Sequence, residues 1–99
     1  MSDTCCCHKT KHRSEEEVKK LLNRLSRIEG QIRGIRGMIE KDAYCTDVLT
    51  QSAAVTAAMN AFNREVLAEH IRTCVVRDIR NGDDEVIDEL VQTMQKLMK

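Results

Sequence analysis

No glycine or proline occurs from residue 43 to residue 81, and proline is absent from all 99 residues. Glycine and proline are the residues that most often interrupt a helix. The stretch therefore predicts one helix over about 44–80, which at the usual rise per residue is roughly 50 Å long. A helix of this length in so short a chain restricts the fold to long helices that pack against one another.

A second helix is predicted before this stretch. Ser14 and Glu17 form an S-x-x-E capping box, and apolar residues then recur every three or four positions, which predicts a helix over about 15–40. Residues 1–13 show no such periodicity and are expected to form a flexible tail rich in cysteine and histidine. The remaining residues, 14–99, are expected to form a single helical domain.

A third helix is predicted at the C-terminal end of the chain. Asn81 followed by Gly82 is a signal that ends a helix, and Asp83 or Asp84 can cap a new one over about 84–98. Aromatic residues make up only 2% of the chain, whereas good helix formers are abundant. The sequence therefore predicts an all-α fold of three helices.

Three such helices cannot enclose a core by themselves, because a chain of 99 residues buries limited apolar surface. The long helices carry apolar and alanine-rich faces, and a partner chain is expected to cover them. The simplest arrangement pairs two copies of the second helix in antiparallel orientation, so that the long helices of two chains form a dimeric four-helix bundle.

Cellular location and broad function are also constrained. The chain has no apolar run long enough to span a bilayer and no apolar signal segment at its start, which predicts a cytoplasmic protein. In that compartment the five cysteines are expected to bind metal or sense redox state rather than to form a disulfide framework. No nucleophile elbow or phosphate-binding loop is present, so a binding protein is predicted rather than an enzyme.

Three residues are candidate metal ligands: Cys45, His70 and Cys74. His70 and Cys74 form an H-x-x-x-C pattern, which on a helix places a thiol and an imidazole on one face, as a thiophilic metal ion requires. Cys45 lies 25 residues before His70, which is roughly 37 Å along a straight helix. Either the helix breaks between them or a neighbouring subunit supplies Cys45, and the unbroken helical pattern favours the neighbouring subunit.

A second group of thiols and imidazoles occurs in the tail. Its members are Cys5, Cys6, Cys7, His8 and His12. This composition is typical of a metal-binding tract. The tail can bind ions loosely, pass them to an inner site or supply one further ligand, and a tail without function is the alternative.

The charges are unevenly distributed although the formal net charge is zero. Residues 1–41 carry ten Lys or Arg and six Asp or Glu, whereas residues 42–99 carry six and ten. The polar face of the first helix, opposite the apolar stripe, carries Lys20, Arg24, Arg27 and Gln31. Arginine and lysine bind phosphates, and arginine and glutamine can read base edges, so this face is a candidate DNA-binding surface. An ordinary solvated helix face is the alternative.

Three blocks of the sequence closely resemble one known family. They are NRLSRIEGQIRG at 23–34, Y-C-x-D-V-L-x-Q at 44–51 and H-x-x-x-C at 70–74. On these blocks the chain is identified as a member of the copper-sensitive operon repressor family, whose other branches sense nickel or cobalt, formaldehyde or persulfide. The resemblance covers about residues 18–97. It implies an all-helical homotetramer, a dimer of dimers, that represses genes by binding operator DNA.

The resemblance also implies roles for particular residues. In copper-sensing members Cu(I) is bound between subunits by the residues that match Cys45 of one chain and His70 and Cys74 of the other. Tyr44 and Glu89 match positions that couple the metal to DNA release, although the spacing before Glu89 is one residue shorter than in the family. The residues that match operator-binding positions or contribute to binding are Arg24, Arg64, Arg27, Gln31 and Arg33.

A Cys-His-Cys ligand set fits copper best, so the resemblance implies a Cu(I)-responsive repressor that leaves its operator when metal binds. A Ni(II)-responsive repressor is the alternative, because nickel sensors of the family can share these ligands and add an N-terminal histidine, near where His12 falls. His70 argues against a persulfide sensor, and Cys74 argues against a formaldehyde sensor. A copper-buffering protein without a DNA role is a further alternative from a different functional class.

Overall fold

The computed structural model describes residues 13–98, and the regular structure in this range is helical. The helices are α1 (Glu15–Glu40), α2 (Cys45–His70), a π-helical segment (Ile71–Val75), α3 (Val76–Arg80) and α4 (Glu85–Leu97). The predicted all-α fold is confirmed. None of the helices in the described range is long and apolar enough to cross a membrane. The predicted tail, residues 1–13, falls outside this range apart from its last residue.

Helix α1 begins at the predicted capping box and ends in a left-handed turn. The Ser14 hydroxyl accepts a hydrogen bond from the Glu17 N–H at 3.1 Å, and the Glu17 carboxylate accepts one from the Ser14 N–H at 3.2 Å. At the other end Asp42 has a φ of 57°, and the Ala43 N–H donates to the Met38 carbonyl oxygen at 2.9 Å. This bond is that of a Schellman motif, which satisfies carbonyl groups at a helix end. The helix therefore matches its predicted range.

The second predicted helix is continuous, but it is not α-helical throughout. Helical structure runs from Cys45, one residue after the predicted start, to Arg80. Within it, the segment Ile71–Val75 is π-helical: the Val76 N–H donates to the carbonyl oxygen of Ile71, five residues earlier. The predicted helix is therefore continuous, but its backbone hydrogen bonds change from the α-helical to the π-helical pattern at Ile71–Val75.

Local sequence explains why the pattern changes at this point. The β-branched residues in or next to the π-helical segment are Ile71, Thr73, Val75 and Val76. Such residues are less favourable in an α-helix because their side chains crowd the preceding turn. The Thr73 hydroxyl also donates to the Glu69 carbonyl oxygen at 2.7 Å. A side chain that enters the i to i−4 ladder is a known cause of local helix distortion.

A second Schellman motif joins α3 to α4. Gly82 has a φ of 87°, and the Asp83 N–H donates to the Asp78 carbonyl oxygen at 2.8 Å. The Asp83 carboxylate accepts a hydrogen bond from the Glu85 N–H at 3.2 Å, whereas Asp84, at the N-cap position, makes no side-chain capping bond. Of the two predicted caps, Asp83 is the one whose side chain contacts the start of α4. The helix is one residue shorter at each end than predicted.

The chain divides into two compact units, Arg13–Phe62 and a unit that begins at Asn63. In the first unit Ile28 is buried, but other members of the apolar stripe are not. The exposed fractions on α1 are 55% for Leu22, 53% for Ile32 and 60% for Ile39. Contiguous apolar surface of this kind usually marks a contact with another molecule. The exposure agrees with the expectation that another chain covers this face.

The core of the second unit is centred on the π-helical segment, which α3 and α4 contact. Cys74 is fully buried there, Val75 and Val86 are nearly so, and Asp78 is the buried charged residue among those described. The expectation of a single domain over 14–99 stays a prediction.

The turn at Gly82 yields a prediction about stability. An alanine at this position would have to adopt a φ of 87°, so Gly82→Ala is expected to lower the free energy of unfolding by about 1 kcal/mol. Gly34→Ala is the matched control, because a Cβ added there meets nothing within 4 Å and helix propensity alone predicts a gain of about 1 kcal/mol. Urea denaturation at one protein concentration measures the change in the free energy of unfolding for both variants. A gain at Gly82 would contradict the turn geometry.

Candidate metal site and DNA-binding surface

The structure places His70 and Cys74 on one turn of the helix. His70 ends α2, and Cys74 lies in the π-helical segment that follows. Four residues are close to one full turn, so both side chains leave the helix on the same side. His70 is half-buried and Cys74 has no exposed surface. Rare π-helical turns occur frequently at functional sites, and this one carries Cys74 and directly follows His70.

One polar side chain lies next to the Cys74 sulfur. The Thr73 hydroxyl lies 3.5 Å from Cys74 Sγ, a contact that sequence reasoning missed although a threonine beside the cysteine in a β-branched run was visible. Two residues before Cys74, Arg72 forms an ion pair with Glu69 at 3.1 Å, and the exposure of the Arg72 side chain limits the contribution of this pair to stability to about 1 kcal/mol. Cys74 is disulfide-bonded in this structure, and metal binding requires the reduced thiol.

Cys45 is the first residue of α2, and its thiol is free and exposed. Tyr44, immediately before it, is 72% exposed, and its carbonyl oxygen accepts hydrogen bonds from the N–H groups of Asp47 and Val48. These two bonds begin the helix, so Cys45 projects from its first turn. Among residues 13–98 of one chain, no three histidine, cysteine, aspartate or glutamate side chains converge into a group that could hold a metal ion.

The remaining predicted residues of the metal site are placed as follows. Glu89 is exposed on α4, where its carbonyl oxygen accepts a hydrogen bond from the Thr93 hydroxyl at 3.0 Å. Its role in coupling metal to DNA stays a prediction, as does that of Tyr44. His12 and the cluster of Cys5, Cys6, Cys7 and His8 fall outside the described residues.

Most of the predicted DNA-binding side chains are accessible. Exposed members are Arg27, Gln31 and Arg33 on α1 and Arg64 on α2, and Arg24 on α1 is half-buried. Arg24, Arg27 and Gln31 are spaced three and four residues apart, which places them on one side of α1. Arg33 lies on another side of the same helix. One side of α1 therefore presents a short row of guanidinium and amide groups, the chemistry that contacts phosphates and base edges.

These observations define a class: an all-helical protein with a thiol and an imidazole on one helical turn and cationic side chains along another helix. A family model described as metal-sensitive transcriptional repressor matches residues 17–96. The chain belongs to this family, and the family predicted from the sequence is confirmed. Its members are transcriptional repressors, which are not a class of enzyme.

Similar proteins in this family are named for the metals they sense. The copper-sensing transcriptional repressor CsoR of Bacillus subtilis (strain 168) is 46% identical over 94 residues, which are 93% of each chain. The copper-sensing transcriptional repressor RicR of Mycobacterium tuberculosis (strain ATCC 25618 / H37Rv) is 45% identical over 71 residues, covering 72% of this chain and 74% of RicR.

Two solved structures are also similar. The copper-sensing repressor CsoR with Cu(I) from Geobacillus thermodenitrificans NG80-2 matches with a TM-score of 0.85 and 37% identity, over 89% of this chain and 93% of that one. The nickel-responsive transcriptional regulator InrS matches with a TM-score of 0.71 and 38% identity, over 85% of this chain and 96% of that one.

Proposed function

We propose that this protein is a Cu(I)-responsive transcriptional repressor, which binds operator DNA when metal-free and is released when metal binds. The observation that carries the proposal is the pair His70 and Cys74 on one helical turn, with the Cys74 sulfur inside the core. The relatives named as copper-sensing repressors support the same metal. A repressor of this kind acts on DNA in the cytoplasm, which agrees with the location expected from the sequence.

The donor set fits copper. Cu(I) is a soft ion that thiolate ligands select, and imidazole also suits copper. The residues that would hold it are Cys45, His70 and Cys74, with the two cysteines reduced. When bound, the ion supplies a bridge between ligands that the chain by itself does not bring together. The protein would contribute the buried position of Cys74, which limits the access of water to that ligand.

The proposal places each metal site between two subunits. Helix α2 begins at Cys45 and ends at His70, and 25 residues of helix correspond to roughly 37 Å. Antiparallel pairing of two copies of α2 brings the start of one helix to the end of the other, and two-fold symmetry creates the site twice. The exposed apolar residues of α1, together with Leu49 at 67% exposure on α2, supply surface for such an interface. A dimer of dimers completes the proposed homotetramer.

A mixing experiment tests whether the site is shared. Chains with Cys45→Ala and chains with Cys74→Ala are each expected to lose tight Cu(I) binding. In a mixed dimer one site carries both substitutions, whereas the other combines the intact Cys45 of one chain with the intact His70 and Cys74 of its partner. Differently tagged chains, refolded together under reducing conditions and purified through both tags, are therefore expected to regain one Cu(I) per dimer. The count is made by titration against a colorimetric Cu(I) chelator.

Two results would contradict this arrangement. If the mixed dimers bind no more Cu(I) than either parent, all the ligands of a site belong to one chain. If the Cys45→Ala protein still leaves its DNA when Cu(I) is added, Cys45 is not a ligand of the sensing site. Operator binding by metal-free Cys45→Ala protein serves as the control for folding.

The proposed DNA-binding side chains of α1, Arg24, Arg27 and Gln31, provide a second test. It measures DNA binding independently of metal binding. Arg27→Ala is expected to weaken binding to the DNA upstream of the protein's own gene and to reduce the slope of log affinity against log salt by about 1. Arg36→Ala is the matched control: it removes the same charge from the same helix, at a position that is 81% exposed and ion-paired with Glu40. Gel-shift titrations at several salt concentrations measure both effects.

Equal weakening by the two substitutions would mean that only overall charge matters and would contradict a specific surface. No weakening by either would favour the copper-buffering alternative. Cu(I) binding by Arg27→Ala is expected to stay at the wild-type value, since Arg27 lies outside the proposed ligand set.

A Ni(II)-responsive repressor is a second candidate function, favoured by the structural similarity to the nickel-responsive regulator InrS. It requires His12 as an additional ligand. Our leading proposal expects that Cu(I) but not Ni(II) releases the protein from DNA, and that His12→Ala leaves Cu(I) affinity unchanged. Absorption spectra of the wild type and His12→Ala with Ni(II) distinguish the two. A square-planar Ni(II) spectrum that disappears in His12→Ala, together with release from DNA by Ni(II), would overturn the copper assignment.

A further inference from the structure

The side chain next to the buried candidate ligand makes two polar contacts. The Thr73 hydroxyl lies 2.7 Å from the Glu69 carbonyl oxygen and 3.5 Å from Cys74 Sγ. A hydroxyl has one proton to donate and rotates about its C–O bond. The shorter contact is a strong hydrogen bond to the backbone, and the longer one is within reach of a sulfur acceptor. One group therefore contacts both the helix backbone and the candidate metal ligand.

The first contact occurs where the helix changes its hydrogen-bond pattern. Beyond Thr73, the Val76 N–H bonds to Ile71, five residues back. A threonine hydroxyl that bonds to the carbonyl four residues earlier gives the backbone an alternative to the regular ladder. The hydroxyl thereby helps to hold the wide turn that includes Cys74. The wide turn, in turn, determines the direction in which the Cys74 sulfur points.

The second contact acts on the sulfur itself. The 3.5 Å contact is to the sulfur of the disulfide-bonded Cys74. When Cys74 is reduced and ligates a metal, its sulfur carries negative charge and competes more strongly with the Glu69 carbonyl oxygen for the single hydroxyl proton, because a hydrogen bond to an ionised acceptor is stronger than one between neutral groups. Residues that hydrogen-bond to a metal ligand fix its orientation, and their loss typically weakens metal binding about 10–100-fold. Thr73 is itself exposed, whereas Cys74 is fully buried. Removing the hydroxyl therefore changes the contacts of the sulfur without opening a cavity in the core.

We propose that Thr73 is a positioning residue of the metal site, whose hydroxyl supports the π-helical turn through the Glu69 carbonyl oxygen and lies where it can turn its proton to the Cys74 sulfur when that sulfur is an ionised metal ligand. The inference rests on the proposed function, since it presupposes that Cys74 is a ligand. It adds a residue that does not itself bind the ion but sets how tightly His70 and Cys74 bind it.

Isosteric substitution tests the proposal in the reduced, full-length protein. Thr73→Val keeps the shape and removes the hydroxyl, and it is expected to weaken Cu(I) binding about 10–100-fold in competition with a colorimetric Cu(I) chelator. Thr73→Ser restores the hydroxyl and is expected to return the affinity close to the wild-type value. The ultraviolet absorption of the Cu(I)–thiolate bond is expected to change in Thr73→Val and to recover in Thr73→Ser.

Thr56→Val is the matched control. The Thr56 hydroxyl makes the same kind of bond, to the Ser52 carbonyl oxygen at 3.2 Å, but it lies in the middle of α2 away from the ligands. Its substitution is expected to leave Cu(I) affinity unchanged. Thermal unfolding of the metal-free proteins monitors any general loss of stability, and Thr73→Ala provides a second variant without the hydroxyl should the valine not fit the turn.

The possible outcomes separate this inference from the proposed function. Wild-type affinity in Thr73→Val or Thr73→Ala would overturn the inference alone, because the wild type would still bind Cu(I) through Cys74. A loss in Thr73→Ser as large as in Thr73→Val would also overturn it, because the hydroxyl would then not be the active group. Absence of Cu(I) binding by the wild type would overturn the proposed function itself.

Discussion

The continuity of the helical run from Cys45 to Arg80 is the constraint on which the rest of the structure depends. A break near its middle would let one chain fold back and bring its own ligands together. Along a straight helix, the 25 residues from Cys45 to His70 correspond to roughly 37 Å. Under the proposed function, a single subunit therefore has an incomplete metal site. Assembly and metal sensing then depend on the same contacts, because the apolar faces that pair the helices also bring the ligands together.

The two parts of the proposed site differ in how firmly one chain fixes them. Cys74 is held in a core formed by the π-helical segment and its neighbours, whereas Cys45 is free and exposed at the start of α2. Side chains held by packing offer a preorganised half-site, and the exposed thiol completes it from another chain. Metal affinity in such a site depends on the relative placement of subunits. An ion that binds tightly must favour the arrangement in which the two halves meet.

Much of this structure was predictable from sequence because the signals are local. Three local signals locate the helices to within about one residue of their observed ends. They are the capping box at Ser14, the glycine at position 82 and the spacing of the apolar residues. The π-helical segment was not predicted, because apolar periodicity reports which face is buried and not which carbonyl accepts each bond. The contact from Thr73 depends on that hydrogen-bond pattern and was missed with it. The ligand set came from spacing and resemblance, and its completion across subunits stays a proposal.

The proposed metal ligands and the proposed DNA-binding residues are different side chains, and this determines how metal binding can affect DNA binding. The candidate DNA-binding residues lie on α1, with Arg64 on α2, and none of them belongs to the proposed ligand set, so metal and DNA would not compete for the same side chains. Coupling must then act through the arrangement of helices, and a coupling of this kind is reciprocal. If Cu(I) lowers operator affinity by a given factor, typically about 5–150-fold, operator DNA lowers Cu(I) affinity by the same factor. Under the proposed function, the repressor bound to DNA would therefore respond at a higher copper level than the affinity of the free protein indicates.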